Sequence, residues 1–233
     1  MAIDCKISNL NFLNTKTLRL ILQAETDFQF LAGQYVMVEL DKGRKLPFSI
    51  ACAPTPNHEF EIHLGGITAQ SELASHVDWL QQCLNNSESI RIDEPAGHAW
   101  LRPNTEKTVL IAGGSGYTYT RSLLQEALKH APDSDITLYW GAYSEDDLYE
   151  NDYLNELAAS HTGFTYIPVT ETKSVSQQIC QGKLLDIVNK ECDFSALPDT
   201  YICGRYEMVQ TAFAELKNRH HQLTIYSDAL PAE

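Results

Sequence analysis

Apolar and polar residues alternate with a period of two through Ile3–Leu10, Thr17–Ala24, Tyr35–Leu40, Leu46–Ala51 and Glu59–Leu64. That is the pattern of strands buried on one face. Turn-forming residues separate the runs at Asn14, Gly33, 41–43 and 54–57, a spacing that predicts a small antiparallel barrel. One segment breaks the rhythm. Ser71–Cys83 sets Leu73, Val77, Leu80 and, just beyond it, Leu84 on one face at helical spacing, which predicts an amphipathic helix.

Beyond Pro103 the period changes. Strands at Thr108–Ala112, Ile136–Trp140, Phe164–Val169 and Thr200–Cys203 alternate with helices near Tyr119–His130, Asp147–Ser160, Ile179–Glu191 and Glu207–Arg219. Met208, Ala212, Phe213 and Leu216 form an apolar stripe on the last of these. Strands that alternate with helices build a parallel sheet covered by helices. The polar stretch Arg102–Lys107 is the expected joint, which divides the chain into domains 1–103 and 104–233. A length of 233 residues suits two compact domains.

Composition narrows the function. Hydrophobic residues make up 43% of the chain and charged residues 21%, enough apolar material for globular cores. Seventeen Lys and Arg against 31 Asp and Glu give a formal charge of -14, which repels both a phosphate backbone and an anionic membrane surface. Apolar runs such as Thr108–Gly113 are too short to span a bilayer, and Met1–Leu10 lacks the apolar core of a secretory signal. A cytoplasmic protein with neither nucleic acid nor membrane as partner is expected. The six cysteines, Cys5, Cys52, Cys83, Cys180, Cys192 and Cys203, have no short spacing. No metal and no iron-sulfur cluster is therefore expected, and the thiols are expected to be free.

Two glycine turns carry candidate chemistry. Ala112-Gly113-Gly114-Ser115-Gly116-Tyr117 follows a buried strand and opens a helix, an arrangement that lets the backbone approach a pyrophosphate and offers it free N–H groups. Tyr119 stands where the third glycine of a dinucleotide fingerprint belongs, so by itself the pattern serves a structural turn as readily as a nucleotide site. Cys203-Gly204-Arg205-Tyr206-Glu207-Met208 follows the last strand and also opens a helix. Glycine turns after two different strands of an open parallel sheet can flank one crevice.

A third segment, Arg44-Lys45-Leu46-Pro47-Phe48-Ser49, lies on a barrel strand. Together with Gly33-Gln34-Tyr35, Ile62-His63-Leu64-Gly65, the two glycine turns, Pro95–Leu101 and Leu138–Gly141, it resembles the ferredoxin-NADP reductase superfamily in order and spacing along the whole chain. Within it the chain looks most like the short NAD(P)H:flavin reductases, including those that feed reduced flavin to luciferase. The resemblance implies an N-terminal antiparallel β-barrel that binds flavin, followed by a Rossmann-like parallel α/β domain that binds nucleotide. It implies hydride transfer from NADH or NADPH to riboflavin, FMN or FAD, held as substrate or as loosely bound cofactor. Ser49 would hydrogen-bond flavin N5, with Pro47 and Phe48 along the isoalloxazine and Tyr35, His63, Leu64 and Gly65 lining the pocket. Ala112 to Tyr117 and Arg205 would hold the nucleotide, Cys203 and Gly204 would approach the nicotinamide, and Met208 would pack behind them. For His63 an ordinary strand histidine is the stronger reading, and Cys203 serves equally as a packing thiol. The cofactor carries the hydride chemistry, so no general acid or base is required.

One departure from the family pattern is Leu46, where an arginine normally precedes Pro-Phe-Ser and meets the flavin's polar tail. Arg44, which shares the strand face of Leu46, is the candidate substitute. Losing one charge-assisted contact of about 1.5–3 kcal/mol would weaken phosphorylated flavins more than riboflavin. No aromatic residue follows Tyr226, which under the resemblance leaves the flavin face open for release. Glu145, Asp146 and Asp147 follow the second α/β strand with no basic residue between Gly141 and Leu148, which favours NADH over NADPH. A reduced-flavin-using enzyme is the partner implied. The alternatives are a reductase that serves a separate protein acceptor and a binding module with weakened turnover.

Overall fold

The structure is a computed structural model that describes residues 2–103 and 106–231. Six strands, β1 (Ala2–Asn14), β2 (Thr17–Ala24), β3 (Tyr35–Glu39), β4 (Lys45–Ser49), β5 (Glu59–Leu64) and β6 (Ser89–Asp93), pair antiparallel in the order β4-β3-β6-β1-β2-β5. A bridge between Ile50 and Ile62 joins the two edges into a barrel. Period-two patterning fills its interior: Leu18, Leu20 and Leu22 from β2 meet Val36, Val38, Phe60, Ile62, Ile90 and Ile92, all buried. Strand β6 was not among the expected strands, although Ile90 and Ile92 alternate inward within it. Helix α1 (Ala74–Asn86) covers the barrel with Leu80 and Cys83 and stops at Ser87, whose φ of 56° is left-handed. It starts three residues later than expected because Ser71 accepts hydrogen bonds from the Thr68 and Ala74 amides and holds a turn there.

The second half is a parallel sheet ordered β10-β9-β8-β7-β11-β12. Its elements are β7 (Lys107–Gly113), α2 (Tyr117–His130), β8 (Asp135–Ala142), α3 (Asn151–Ser160), β9 (Phe164–Thr170), β10 (Cys180–Gln181), α4 (Leu184–Glu191), β11 (Asp199–Cys203), α5 (Tyr206–Arg219) and β12 (Ile225–Tyr226). The helix expected from Ile179 begins at Leu184 instead. Cys180 and Gln181 pair onto β9, and Gly182 at φ 152° separates that bridge from the helix. The helix expected from Asp147 begins at Asn151, because Ser144 and Asp147 cap a separate 3-10 turn over Glu145–Asp147. On α5 the fully buried stripe is Val209, Ala212 and Leu216, with Met208 and Phe213 half-buried beside it.

At the expected joint, the Arg102 guanidinium lies 3.7 Å from the Trp100 ring centroid and donates to the Trp100 and His98 carbonyls. Asn104 and Thr105 within that joint lie outside the described residues. Helix α2 belongs to both halves. One side covers β7, while Ser122 Oγ accepts from the Gly33 amide at 3.3 Å and donates to the Cys52 carbonyl at 2.7 Å.

Candidate functional site

Strands β7 and β11 are neighbours, with Ala112 opposite Cys203, so the glycine turns that follow them lie side by side at the carboxyl edge of the sheet. This is where the strand order reverses, since β7 continues to β8 on one side and β11 lies on the other, the position at which open α/β sheets take ligands. Gly114 stands at φ 56° with open space where a β-carbon would be, and both Gly114 and Ser115 are exposed. A β-carbon on Gly113 would meet Met208 Sδ at 2.6 Å, and one on Gly204 would meet Met208 Cε at 2.6 Å. Met208 therefore fills the space behind both turns. The bare backbone and the start of α2 form a cradle suited to an anion. Ala112 itself is buried in the sheet.

The barrel brings its own wall to the same place. Tyr35 is opposite Ser49 and Met37 opposite Pro47 across β3 and β4. Alternation sends Val36, Val38, Leu46 and Phe48 to the barrel core and leaves Tyr35, Met37, Pro47 and Ser49 facing away. These last residues line a cleft of about 510 Å³ together with Tyr119, Ile202, Cys203, Gly204, Val209 and 227–229. That volume falls within the ~300–1,000 Å³ of small-molecule sites. Burial, with the nearby Asp228 carboxylate, pushes the Cys203 thiol up to about 12. It is a neutral thiol at physiological pH and no nucleophile.

Tyr35, Pro47, Ser49, Cys203 and Gly204 are thus brought together, and other candidates are not. The Phe48 side chain packs into the barrel core, because it alternates with Pro47 and Ser49. Leu64 is buried there too. The His63 side chain, 0% exposed, does not line the cleft. Its Nε2 lies 2.6 Å from Glu61 Oε1 and its Nδ1 2.9 Å from the Tyr149 hydroxyl, so both ring nitrogens have hydrogen-bond partners away from the cleft. Gly65 lies against the nucleotide turn, since a β-carbon there would meet Ser115 Cβ at 3.0 Å. Arg44 is not in the cleft either, for its guanidinium pairs with Glu72 at 2.9 Å on the barrel surface. Tyr117 is buried and stacks on Trp140 with ring centroids 3.8 Å apart. Arg205 is exposed just before α5.

Sequence reasoning missed three features. Tyr119, at the position of the absent third glycine, lines the cleft and donates its hydroxyl to the Ala99 carbonyl at 2.5 Å. Asp228 also lines it, and accepts from the His98 and Ala99 amides at 2.8 and 3.1 Å. No pattern flagged Asp228, which follows the two-residue strand β12. The third is a buried charge network between the halves, in which Glu61 takes two hydrogen bonds from Arg19 at 2.8 and 2.9 Å while Arg121 grips Glu150 at 2.8 Å. Its members are scattered from residue 19 to residue 150, so no local motif announces it.

Among the described residues no cluster of His, Cys, Asp or Glu could hold a metal ion, and no helix is long and apolar enough to cross a membrane. The site has two walls, one from each half, and a glycine cradle at one end. Its ionisable lining groups include the Asp228 carboxylate and the neutral Cys203 thiol.

The model of the oxidoreductase NAD-binding domain matches residues 110–213. A probable flavin reductase of Aliivibrio fischeri is 36% identical over 219 residues, 93% of this chain and 92% of the relative. An NAD(P)H-flavin reductase of the same organism is 35% identical, covering 91% of this chain and 90% of its own. A Vibrio harveyi NAD(P)H-flavin reductase is 34% identical over the same shares. Among solved structures, a Neisseria gonorrhoeae ferredoxin NADP+ reductase with bound FAD and NADP superposes at TM-score 0.76, over 94% of this chain and 92% of that one, with 18% identity. An Amycolatopsis cytochrome P450 reductase superposes at TM-score 0.82, over 97% and 69%, with 22% identity. These two likenesses are of fold.

Proposed function

The chain belongs to the NAD(P)H-flavin reductases, and from that membership we propose that this protein passes a hydride from a reduced nicotinamide nucleotide to a flavin which it then releases. The observation that carries the reading is the cleft itself, where Ser49, Tyr35 and Pro47 of the barrel confront Cys203 and Gly204 of the parallel sheet.

In this reading the barrel, 1–103, takes the flavin and the α/β half, 104–233, takes the nucleotide. The bound flavin supplies the hydride acceptor. The protein's part is to bind, orient and exclude water, so its contribution is chiefly proximity. Ser49 offers its hydroxyl to flavin N5, Tyr35 and Pro47 lie along the ring system, and Gly113 to Gly116 receive the pyrophosphate. Cys203 and Gly204 border the nicotinamide, with Met208 fixing both turns from behind.

NADH is the preferred donor. Asp147 is neutralised by Lys16 at 2.7 Å and Glu145 accepts from Ser174 at 2.6 Å, while Asp146 is exposed. Glu145 and Asp146 thus add negative charge at the expected ribose locus, a poor setting for a 2'-phosphate. Riboflavin is the preferred acceptor, since among the described residues the cleft is lined by no lysine or arginine and by one carboxylate, Asp228. The protein acts in the cytoplasm and hands reduced flavin to an enzyme that uses it.

The deciding experiment is NADH and NADPH oxidation by the flavin-stripped protein, with riboflavin, FMN or FAD added over a concentration series. Oxidation that saturates with added flavin is the expected result. No oxidation with any flavin overturns the reading.

A further inference from the structure

We infer that Arg121 is a positioning residue for hydride transfer: its guanidinium clamps the strand end that carries Ser49 onto the helix that rises from the nucleotide turn. The inference rests on the flavin reductase reading and adds to it the group that sets the two walls of the cleft in register.

Arg121 stands one helical turn after Tyr117, the first residue of α2. The side chain is buried and crosses between the halves of the molecule. Its Nη1 donates to the Ala51 carbonyl at 2.6 Å, and Ala51 is two residues beyond Ser49. The same nitrogen lies 3.7 Å from Glu61 Oε1 on the barrel, and Ala51 in turn donates its amide to the Glu61 carbonyl at 2.7 Å. On the other side Nε donates to Glu150 Oε2 at 2.8 Å. Glu150 also accepts the Tyr117 hydroxyl at 2.5 Å, Tyr117 stacks on Trp140, and Trp140 Nε1 donates to the Gly114 carbonyl at 3.0 Å. A continuous chain of contacts therefore runs from the cradle, through Arg121, to the segment that ends in Ser49.

The rest of α2 holds the same segment. Ser122 donates to the Cys52 carbonyl at 2.7 Å, Gln125 accepts from the Ala53 amide at 3.1 Å, and Lys129 donates to the Pro54 carbonyl at 3.3 Å. Of these four side chains only Arg121 also binds a carboxylate from each half. Burial opposes its charge, but Glu150 and Glu61 hold the guanidinium above the ordinary arginine range, so the clamp is ionised at every working pH.

A buried ion pair is a poor means of gaining stability, because desolvation cancels most of the attraction. What it provides is register. A planar guanidinium satisfies Glu150, Glu61 and a carbonyl in one geometry only, and hydride transfer depends steeply on the separation of donor and acceptor. A misplacement on the order of 1 Å costs roughly a hundredfold in rate. Lysine at this position keeps the charge but cannot reach three acceptors in the same plane.

The test compares wild type with Arg121→Lys and Glu150→Gln, using riboflavin and 4-deuterated or ordinary NADH in single-turnover stopped flow, with NADH affinity measured separately. Arg121→Lys is expected to slow hydride transfer by about tenfold or more while NADH affinity stays within about twofold. Glu150→Gln, which keeps an acceptor for Tyr117 but weakens the grip on Arg121, is expected to slow it in the same direction and decides the matter if the lysine variant does not fold. A hydride-transfer rate within about twofold of wild type in both variants overturns the inference, as does a loss confined to NADH affinity. Amide hydrogen exchange over 50–54 reads the clamp without turnover. Faster exchange there in the variants supports it, and unchanged exchange defeats it. A wild type that reduces no flavin defeats the flavin reductase reading instead.

Discussion

Gly116 packs its α-carbon against the carbonyl of Cys203, so that a β-carbon at residue 116 would overlap that carbonyl and come within 2.9 Å of the Gly204 amide nitrogen. Both obstacles are backbone, and both belong to the strand end that closes the cleft. Gly116→Ala is therefore expected to cost about 2–3 kcal/mol and to raise the KM for NADH, because one of the two turns must move. Gly114→Ala meets no atom but sits at φ 56°, which costs about 1–2 kcal/mol. Thermal unfolding of the two variants checks the order, and an equal or larger loss at Gly114 would contradict it.

Ser49 faces Tyr35 across β3 and β4 and lies in the cleft with Cys203. If its hydroxyl orients the acceptor ring, Ser49→Ala removes one hydrogen bond worth about 1.5 kcal/mol in the transition state, roughly a tenfold fall in the single-turnover rate. NADH affinity is expected to be unchanged, since the nucleotide cradle belongs to the other wall. An unchanged rate would remove Ser49 from the mechanism.

Much of this is legible in the sequence. Period-two runs located five barrel strands because each hides one face, and the glycines of both turns stand out because a β-carbon would collide at 113, 116 and 204. The two-residue strands β10 and β12 were not legible because two residues carry no period, and β6 offers only two apolar positions, Ile90 and Ile92, among polar neighbours. The resemblance alone brings His63 to the pocket, against the stronger reading of an ordinary strand histidine, and its two ring nitrogens face Glu61 and Tyr149, the latter 86 residues away. Arg19, Arg121 and Glu150 form their network by pairing across a domain interface, and no local spacing encodes such a pairing.

The cleft's electrostatics bear on flavin choice. Leu46 packs toward the barrel core, Arg44 is occupied by Glu72, and the charged group lining the cleft is Asp228. Among the described residues that line the cleft a phosphorylated flavin meets one carboxylate and no cation, so the KM for FMN is expected to exceed that for riboflavin. Asp228→Asn keeps an oxygen acceptor for the His98 and Ala99 amides and removes the charge. The variant is expected to narrow the gap between the two flavins. Steady-state KM values for both flavins in both proteins are the check, and a gap that stays unchanged clears Asp228 of any part in it.

Glu61 makes stability depend on acid. Burial alone would raise its carboxyl, but hydrogen bonds from His63 and Arg19 and the charge of Arg121 outweigh it and hold the group at about 2, against 4.5 for a free glutamate. The folded state therefore binds this proton more weakly than the unfolded state does. The stabilisation, a few kcal/mol, is present in full above pH 4.5 and is lost as pH falls toward 2. Glu61→Gln removes that dependence but leaves Arg19 and Arg121 short of a counter-charge, so it is expected to destabilise the protein strongly at neutral pH. Urea unfolding at pH 7 and at about pH 3 should show the variant well below wild type at the first value and closer to it at the second. A constant difference between the two proteins would mean that Glu61 binds its proton equally in the folded and unfolded states, and that the charge pairing described for it does not operate.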